Sequence, residues 1–530
     1  MRAGRQGLPA LFLVACVLLA ACSRRDDAAA NGPTAPSTPT AGGGSFSILA
    51  GSELKEMAPA LTQAALAAGV SLQLSYAGTL DIVERINGGE RFDAILPPNG
   101  AYPTLALAQP PVARDKLFYS RVALGVKPDK ARQLGWDRQP PTWADIARAA
   151  STGKLRYAMA NPTASNTGMS ALFAVASAAA GKTEDLRADE VDTPTIKAFL
   201  AGQSLTAGSS GWLAEAFGQD AGTLDAMVNY ESVLLQANAR RAPADALQLI
   251  YPRDGVISAD YPLMLLNAAR RADYDKLVQA YKATPFQREA VAAAFLRPSN
   301  PEASANAALP TQAVSELAFP NNLQVIDEVL SAYQSEWRRP TTSILVLDVS
   351  SSMYGKRLEG MRDALLMLAG ADSSRASARY ARFQAREKVA LITFSDKVAS
   401  PRWVRFEGAR AEAGHAEVRS FASAMKADGR TAVYSALDAA ERLARDEARQ
   451  EPGRFISILL LTDGESNSGL RYDEFKRRWS GPGPVRVFPI LFGEGNVREM
   501  DGVAQLTGGR TFDARKTALT QVFKEIRGYQ

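Results

Sequence analysis

From residue 46 onward, short apolar runs alternate with stretches whose apolar positions recur three and four apart. Residues 46–50 run apolar and stop at Gly51-Ser52. Residues 54–66 then carry a helical stripe, and 70–74 alternate as a strand ending Ser75-Tyr76-Ala77-Gly78-Thr79. A second helix follows through Ile82, Val83 and Ile86, and residues 92–96 form a third strand, stopped by Pro97-Pro98. Residues 121–126 and 155–160 read as further strands, the latter running into Asn161-Pro162-Thr163-Ala164-Ser165-Asn166-Thr167-Gly168 and a helix. Thr142-Trp143-Ala144-Asp145 has the form of a capping box, in which hydroxyl and carboxylate satisfy free N–H groups of the first turn. Strands alternating with helices predict a mainly parallel sheet.

The same alternation resumes after a break. Residues 301–320, rich in Ala, Asn and Pro, suit a surface crossing. Leu323, Val325, Ile326, Val329, Leu330 and Tyr333 then form a helical stripe that ends near Trp337 and Arg338-Arg339-Pro340. This connector helix is expected to pack its apolar face on a neighbouring domain. Residues 344–347 run apolar into Asp348. Leu358, Met361, Leu365 and Leu368 mark a core-facing helix, as do Val433, Leu437, Ala440 and Ala444. Residues 388–394, 455–461, 485–492 and 508–512 predict strands, and 402–406 an edge strand. The expected result is a doubly wound sheet, whose ligands bind at the carboxyl ends of its strands.

The first 45 residues have another character. Arg2 and Arg5 precede an apolar run over residues 11–21, too short to cross a bilayer and suited to a signal peptide. It closes Leu19-Ala20-Ala21-Cys22, which resembles the bacterial lipobox. That resemblance implies cleavage before Cys22 and a lipid on it. Ser23 in the next position resembles the outer-membrane sorting pattern of two-membrane bacteria. Residues 22–45 hold Pro, Thr, Ser and three consecutive glycines, and predict a flexible tether.

Composition narrows the chemistry. A chain of 530 residues exceeds one ordinary core, so two domains plus tails are expected. The net charge of +5 is small and the basic residues are scattered, which gives nucleic-acid binding little footing. One histidine, His415, excludes His-rich zinc sites, and its polar surroundings suggest a solvated surface position. The two cysteines, Cys16 and Cys22, both lie near the N-terminus, so the body holds neither a disulfide framework nor a Cys metal site.

Two constellations carry function. The first is Asp348-Val349-Ser350-Ser351-Ser352, one carboxylate and two hydroxyls at a strand end, a donor set suited to a hard divalent cation. It resembles the metal-ion-dependent adhesion site of the von Willebrand factor type A family, with Ser351 where that family usually has Gly. Asp428-Gly429-Arg430-Thr431 and Thr462-Asp463-Gly464 resemble its second and third loops. The resemblance covers residues 341–528 and implies a five-residue metal site. Ser350 and Ser352 would bind directly, Thr431 directly or through water, and Asp348 and Asp463 through coordinated waters. Mg²⁺ is expected, with Mn²⁺ or Ca²⁺ able to substitute, and a carboxylate of a protein partner would complete the coordination. Asp396 and Ser395 share the sheet edge without an assigned role.

The second constellation is the segment order of residues 46–298, which resembles type II periplasmic solute-binding proteins. That resemblance implies two α/β lobes joined by crossing strands, here near residues 120–126 and 228–235, with a small solute between them. Ser52, Thr79, Ser165, Asn166 and Thr167 fall where strands give way to helices, where free N–H groups can hold an oxyanion. Tyr230 sits at the second crossing. Glu53 would set a negative charge beside Ser52 and speaks against an anion.

The expected architecture is a signal peptide (1–21), a tether (22–45), a two-lobed solute-binding-protein-like domain (46–318), a connector helix (319–340) and a doubly wound type A domain (341–530). The expected function is a non-enzymatic, lipid-anchored protein of the bacterial cell envelope. It would sit on the outer membrane, facing the periplasm or surface, where two membranes exist. The alternative is a solute receptor for an ABC-type transporter. A metal-dependent hydrolase is a third class, disfavoured because no general base accompanies the motif.

Overall fold

The computed structural model describes residues 44–219, 222–371, 376–479, 485–515 and 519–529. The expected signal peptide, Cys22 and the tether up to residue 43 lie outside them. Among the described residues no helix is long and apolar enough to cross a membrane.

Strands β1 (Phe46–Gly51), β2 (Leu72–Ala77), β3 (Ala94–Leu96), β4 (Ala113–Lys116) and β11 (Pro262–Leu265) form a first sheet of order β2-β1-β3-β11-β4. Helices α1 (Ala58–Ala67) and α2 (Thr79–Asn87) make its early crossovers, and β1 pairs in parallel with both β2 and β3. The second sheet contains β5 (Phe118–Val126), β6 (Tyr157–Ala160), β7 (Gln203–Ala207), β8 (Ala226–Tyr230) and β10 (Ser258–Ala259), in the order β10-β5-β8-β6-β7. Strands β9 (Gln248–Ile250) and β12 (Arg297–Pro298) also pair with β5. Helices α3 (Trp143–Ser151), α4 (Asn166–Ala179) and α5 (Glu231–Ala239) belong to this lobe, and the Thr142–Asp145 capping box forms in full.

The chain passes from the first sheet to the second at Leu117, between β4 and β5, close to the expected crossing. It returns at Asp260–Tyr261, between β10 and β11, and not over residues 228–235. The apolar run there is shared by two elements. β8 ends at Tyr230, and the rest is the first turns of α5, where Glu231, Ser232, Val233, Leu234 and Leu235 are all buried.

The connector helix α6 (Leu323–Ala332) is capped by Asn322 and continues as one π turn to Trp337. Val325, Ile326, Val329, Leu330 and Tyr333 are buried in the same core as the first sheet. The third sheet has the order β15-β14-β13-β16-β17-β18, with strands β13 (Thr341–Asp348), β14 (Glu387–Phe394), β15 (Arg402–Phe406), β16 (Phe455–Thr462), β17 (Val485–Leu491) and β18 (Phe512–Asp513). Only the β14–β15 pair is antiparallel.

Its faces show why β13 reads as a continuous apolar run. Ile344 and Val346 face one core, Leu345 and Leu347 another, and all four are 0% exposed. Burying each is worth about 1.5–3 kcal/mol. Around this sheet lie α7 (Lys356–Leu368), α8 (Ala376–Ala381), α9 (Ala411–Ala424), α10 (Val433–Gln450) and α11 (Leu519–Arg527). His415 lies on α9 and is buried, against the surface position expected. Its Nε2 is 2.9 Å from the Phe383 carbonyl, and its ring lies tilted against Phe406 with centroids 5.0 Å apart. His415, Val418 and Ala422 form that helix's buried stripe.

The three sheets share one folded unit from Ser45 to Gln530. The core that holds Leu345 and Leu347 continues into Ala158, Leu205, Trp212 and Leu213 of the second sheet's lobe.

Candidate functional site

The first site lies at the carboxyl end of the third sheet. Parallel register sets Leu347 beside Leu461, so Asp348 and Asp463 leave neighbouring strands side by side. Asp348 Oδ1 accepts from the Ser350 N–H at 2.9 Å, and its Oδ2 from the Thr462 hydroxyl at 2.7 Å. Ser350 Oγ and Ser352 Oγ are 3.1 Å apart, and Ser352 Oγ donates to Asp463 Oδ1 at 2.9 Å. Arg357, in the first turn of α7, pairs with Asp463 Oδ2. Burial pushes the Asp348 carboxyl up, opposed by bonds from Ser350 and Thr462, and the neighbouring Asp463 charge adds to the rise.

Backbone bonds lace the second loop onto the first. Ser351 N–H donates to the Gly429 carbonyl at 3.0 Å, and Asp428 N–H to that of Val349 at 2.8 Å. Thr431 is buried in this loop, and its N–H donates to Asn467 Oδ1 at 2.9 Å. Gly429 has φ +84°, a left-handed conformation that favours glycine, and a Cβ there would also lie 2.6 Å from Asp396 Oδ1. Ser351 has no positive φ, so the exchange for the family's glycine costs the backbone nothing.

The expected residues Asp348, Ser350, Ser352 and Asp463 therefore meet, and Thr431 stands on the adjoining loop. The donors are hard oxygens from three loops, which fits Mg²⁺. Among the described residues no cluster of three or more His, Cys, Asp or Glu could hold a metal, so hydroxyls would have to complete this one. Thr462, Asn467 and Arg357 were not singled out from sequence. The first two lie in or beside the Thr462-Asp463-Gly464 motif, whereas Arg357 carries no signal of its own.

The second site lies between the lobes. Gly78, the residue before α2, and Ala164, two residues before α4, press together: a Cβ on Gly78 would lie 2.5 Å from the Ala164 carbonyl oxygen. Beside this contact, Asn166 Nδ2 donates to the Tyr230 hydroxyl at 2.9 Å, with Thr167 adjacent. Glu53 Oε1, Thr79 Oγ, Asn166 Oδ1 and Thr167 Oγ are buried without a hydrogen-bond partner. Such groups cost about 1–3 kcal/mol each unless something satisfies them. The N-cap residues of α2, α4 and α5 (Gly78, Ser165 and Tyr230) make no side-chain cap bond, unlike Thr142, Ser209, Asn322 and Asn496.

Burial raises the Glu53 carboxyl to about 7, against a bond from its own backbone N–H. Its charge also contributes to raising the Tyr230 and Tyr261 hydroxyls, whose largest cause is burial. Glu53 is thus mostly neutral below pH 7 and can itself donate, which removes the objection its charge raised to an anion. Ser52 and Glu53 also line a larger cavity of about 1190 Å³, bounded by Tyr76 and Trp212 of the two lobes and by Arg510 and Lys524 of the third sheet's region.

Residues 48–290 match the family described as bacterial extracellular solute-binding protein, and residues 343–465 match the von Willebrand factor type A domain. The chain is 30% identical over 133 residues to inter-alpha-trypsin inhibitor heavy chain H4 of Sus scrofa, covering 24% of this chain and 13% of that protein. It is 34% identical over 136 residues to heavy chain H6 of Homo sapiens, covering 24% and 9%. The chain thus spans a small part of the curated relatives it matches. Among solved structures it is similar to a ferric binding protein from Campylobacter jejuni (13% identity, 54% of this chain and 97% of that chain, TM-score 0.43). A von Willebrand factor type A protein from Catenulispora acidiphila is also similar (18% identity, 36% and 42%, TM-score 0.29). The architecture is mixed α/β, a periplasmic-binding-protein-like region followed by a type A region with a mainly parallel sheet.

Proposed function

We propose that this chain is a lipid-anchored binding protein of the bacterial cell envelope that docks a protein partner through a divalent metal and holds a small solute between its lobes. The observation that carries this reading is the set of oxygen donors from Asp348, Ser350, Ser352 and Asp463 at one sheet edge, with Thr431 on the adjoining loop. Ser350 and Ser352 would hold Mg²⁺ through their hydroxyls, Thr431 directly or through water, and Asp348 and Asp463 through waters while balancing charge. Mn²⁺ or Ca²⁺ could replace it. The metal, when bound, supplies a Lewis-acidic position for a partner's carboxylate. Arg357 would release Asp463 as the ion takes over its charge.

In the cleft, uncapped helix starts and the unpartnered hydroxyls of Thr79 and Thr167 supply donors without Lys or Arg. Asn166, Tyr230 and protonated Glu53 add to them, Ser52 and Ser165 flank them, and a small oxyanion suits this set. The same cleft supports the second reading, a solute receptor for an ABC-type transporter. The signal peptide and the lipid on Cys22 rest on the sequence, and Cys22→Ser should move the protein from the membrane to the soluble fraction. We read the protein as a binder and not an enzyme; hydrolytic turnover lost in Asp463→Ala would overturn that.

The deciding experiment is a pull-down from envelope extract with the full chain, with and without EDTA. A partner should be captured with Mg²⁺, lost with EDTA, and lost in Ser350→Ala and Ser352→Ala. Equal recovery in all conditions would refute metal-dependent docking.

A further inference from the structure

The C-terminal helix α11 belongs to the third sheet's region, yet its end is buried against the solute-binding lobes. A Cβ on Gly528 would lie 2.6 Å from Gly208 Cα and 3.0 Å from Ala164 Cβ. The Arg527 carbonyl accepts from Asn161 Nδ2 at 3.5 Å, and the Tyr529 ring meets Trp212 edge-on with centroids 4.6 Å apart. These are contacts to the second lobe: Asn161 and Ala164 lie on the turn that leads into α4, and Gly208 and Trp212 follow β7. On the first lobe, Lys524 approaches Glu84 of α2 at 3.8 Å, and α8, which packs on α11, also packs on α2.

Ala164 is the meeting point. It touches Gly78 of the first lobe and Gly528 of the C-terminal segment, and it directly precedes Ser165, the N-cap of α4. The helix is itself anchored from behind. Arg527 donates to Glu387 at 2.5 Å, and Glu387 also pairs with Arg338 after the connector helix. From there Arg338 donates to the Gln334 carbonyl, and Gln334 Nε2 donates to the Thr163 hydroxyl at 2.6 Å, one residue before Ala164. The cleft turn is therefore held from two directions by the same buried group of charges.

We propose that α11 is an interlobe clamp: its seat on α2 and on the Asn161–Ser165 turn holds the cleft closed, so that solute exchange and release of the C-terminal helix are coupled. Parting the lobes separates Gly78 from Ala164, and the same movement pulls α2 away from Lys524 and the turn away from Gly528, four residues on along the same helix face. A ligand that favours the closed cleft would then favour the seated helix, and the reverse, by linkage. The proposal rests on reading the cleft as the solute site, but the clamp itself can be tested with neither solute nor metal.

The test is hydrogen exchange on the full chain carrying Gly528→Val, whose added carbon strikes backbone at Gly208 and cannot be relieved by a rotamer change. Amides at the start of α2 and of α4 should exchange about tenfold faster, within the range of coupling between sites. Those in β13 and β16 should be unchanged. Faster exchange confined to residues 519–529 would overturn the clamp. Should β13 loosen too, Lys524→Glu, which repels Glu84 from a half-buried position, decides on the same two segments. No change at α2 in that variant overturns the proposal as well.

Discussion

Glu53 is the residue at which burial does most to alter charge. Its carboxyl is raised from 4.5 to about 7 by desolvation. An acid raised on folding contributes stability that is fully present below its unfolded value and is lost as pH rises through the folded one. Glu53→Gln should therefore match the native protein near pH 4 and be more stable at pH 8. The gap should approach about 3 kcal/mol, read from urea unfolding at the two pH values. A pH-independent difference would contradict the shift. The same neutral carboxyl predicts that sulfate, which keeps its charge over this range, binds the full chain less tightly as pH rises through 7. Tyr230 and Tyr261, the titratable groups facing Glu53, remain protonated there, because burial raises both. In Glu53→Gln the sulfate affinity, measured by calorimetry, should be flat with pH.

Between elements, one buried electrostatic tie is Arg338–Glu387–Arg527, which joins the connector, β14 and α11 with all three side chains buried. Burial alone would raise the Glu387 carboxyl, but Arg527 and Arg338 outweigh it and hold it below the usual range. Its contribution is present above the ordinary carboxylate range and fades as pH falls through it. Glu387→Gln leaves two buried guanidinium groups without a counter-charge and should cost about 3–5 kcal/mol in chemical unfolding at pH 7. A loss below about 1 kcal/mol would show that water reaches these groups. Nothing in the sequence announced this tie, since its members lie far apart and each is an ordinary charge at an element end. What was legible followed a local rule. The period of apolar residues placed β13, β14, β16 and α10, and the spacing Asp348, Ser350, Ser352 marked a loop. The second crossing was misplaced because an apolar run can belong to a strand and the helix after it. His415 was misplaced because polar neighbours outweighed its spacing to Val418 and Ala422. Glu53 was read as a negative charge beside Ser52 because a carboxylate's burial, which raises it to about 7, depends on distant elements, here those bearing Tyr230 and Tyr261.

Over the whole molecule, the shared core changes what the two sequence regions can do apart. Trp212, Leu205 and Leu213 of the second lobe belong to the same apolar cluster as Leu345, Phe488, Phe523 and Tyr529. A chain ending at residue 318 would leave Trp212 without Tyr529 and expose that face to water. A helix of the second region contacts both lobes, through Lys524 and Glu84 on one and Gly528 and Ala164 on the other. The shared cluster predicts that residues from Ser45 onward unfold together. In urea, tryptophan fluorescence and far-ultraviolet circular dichroism of the full chain should give coincident transitions. The chain truncated after 318 should unfold at lower urea, since it has lost buried apolar area without gaining any interaction. If the full chain instead shows two separated transitions, and the truncated chain reproduces one of them unchanged, the contact between the regions adds little stability. The lobes would then be free to act as an independent receptor.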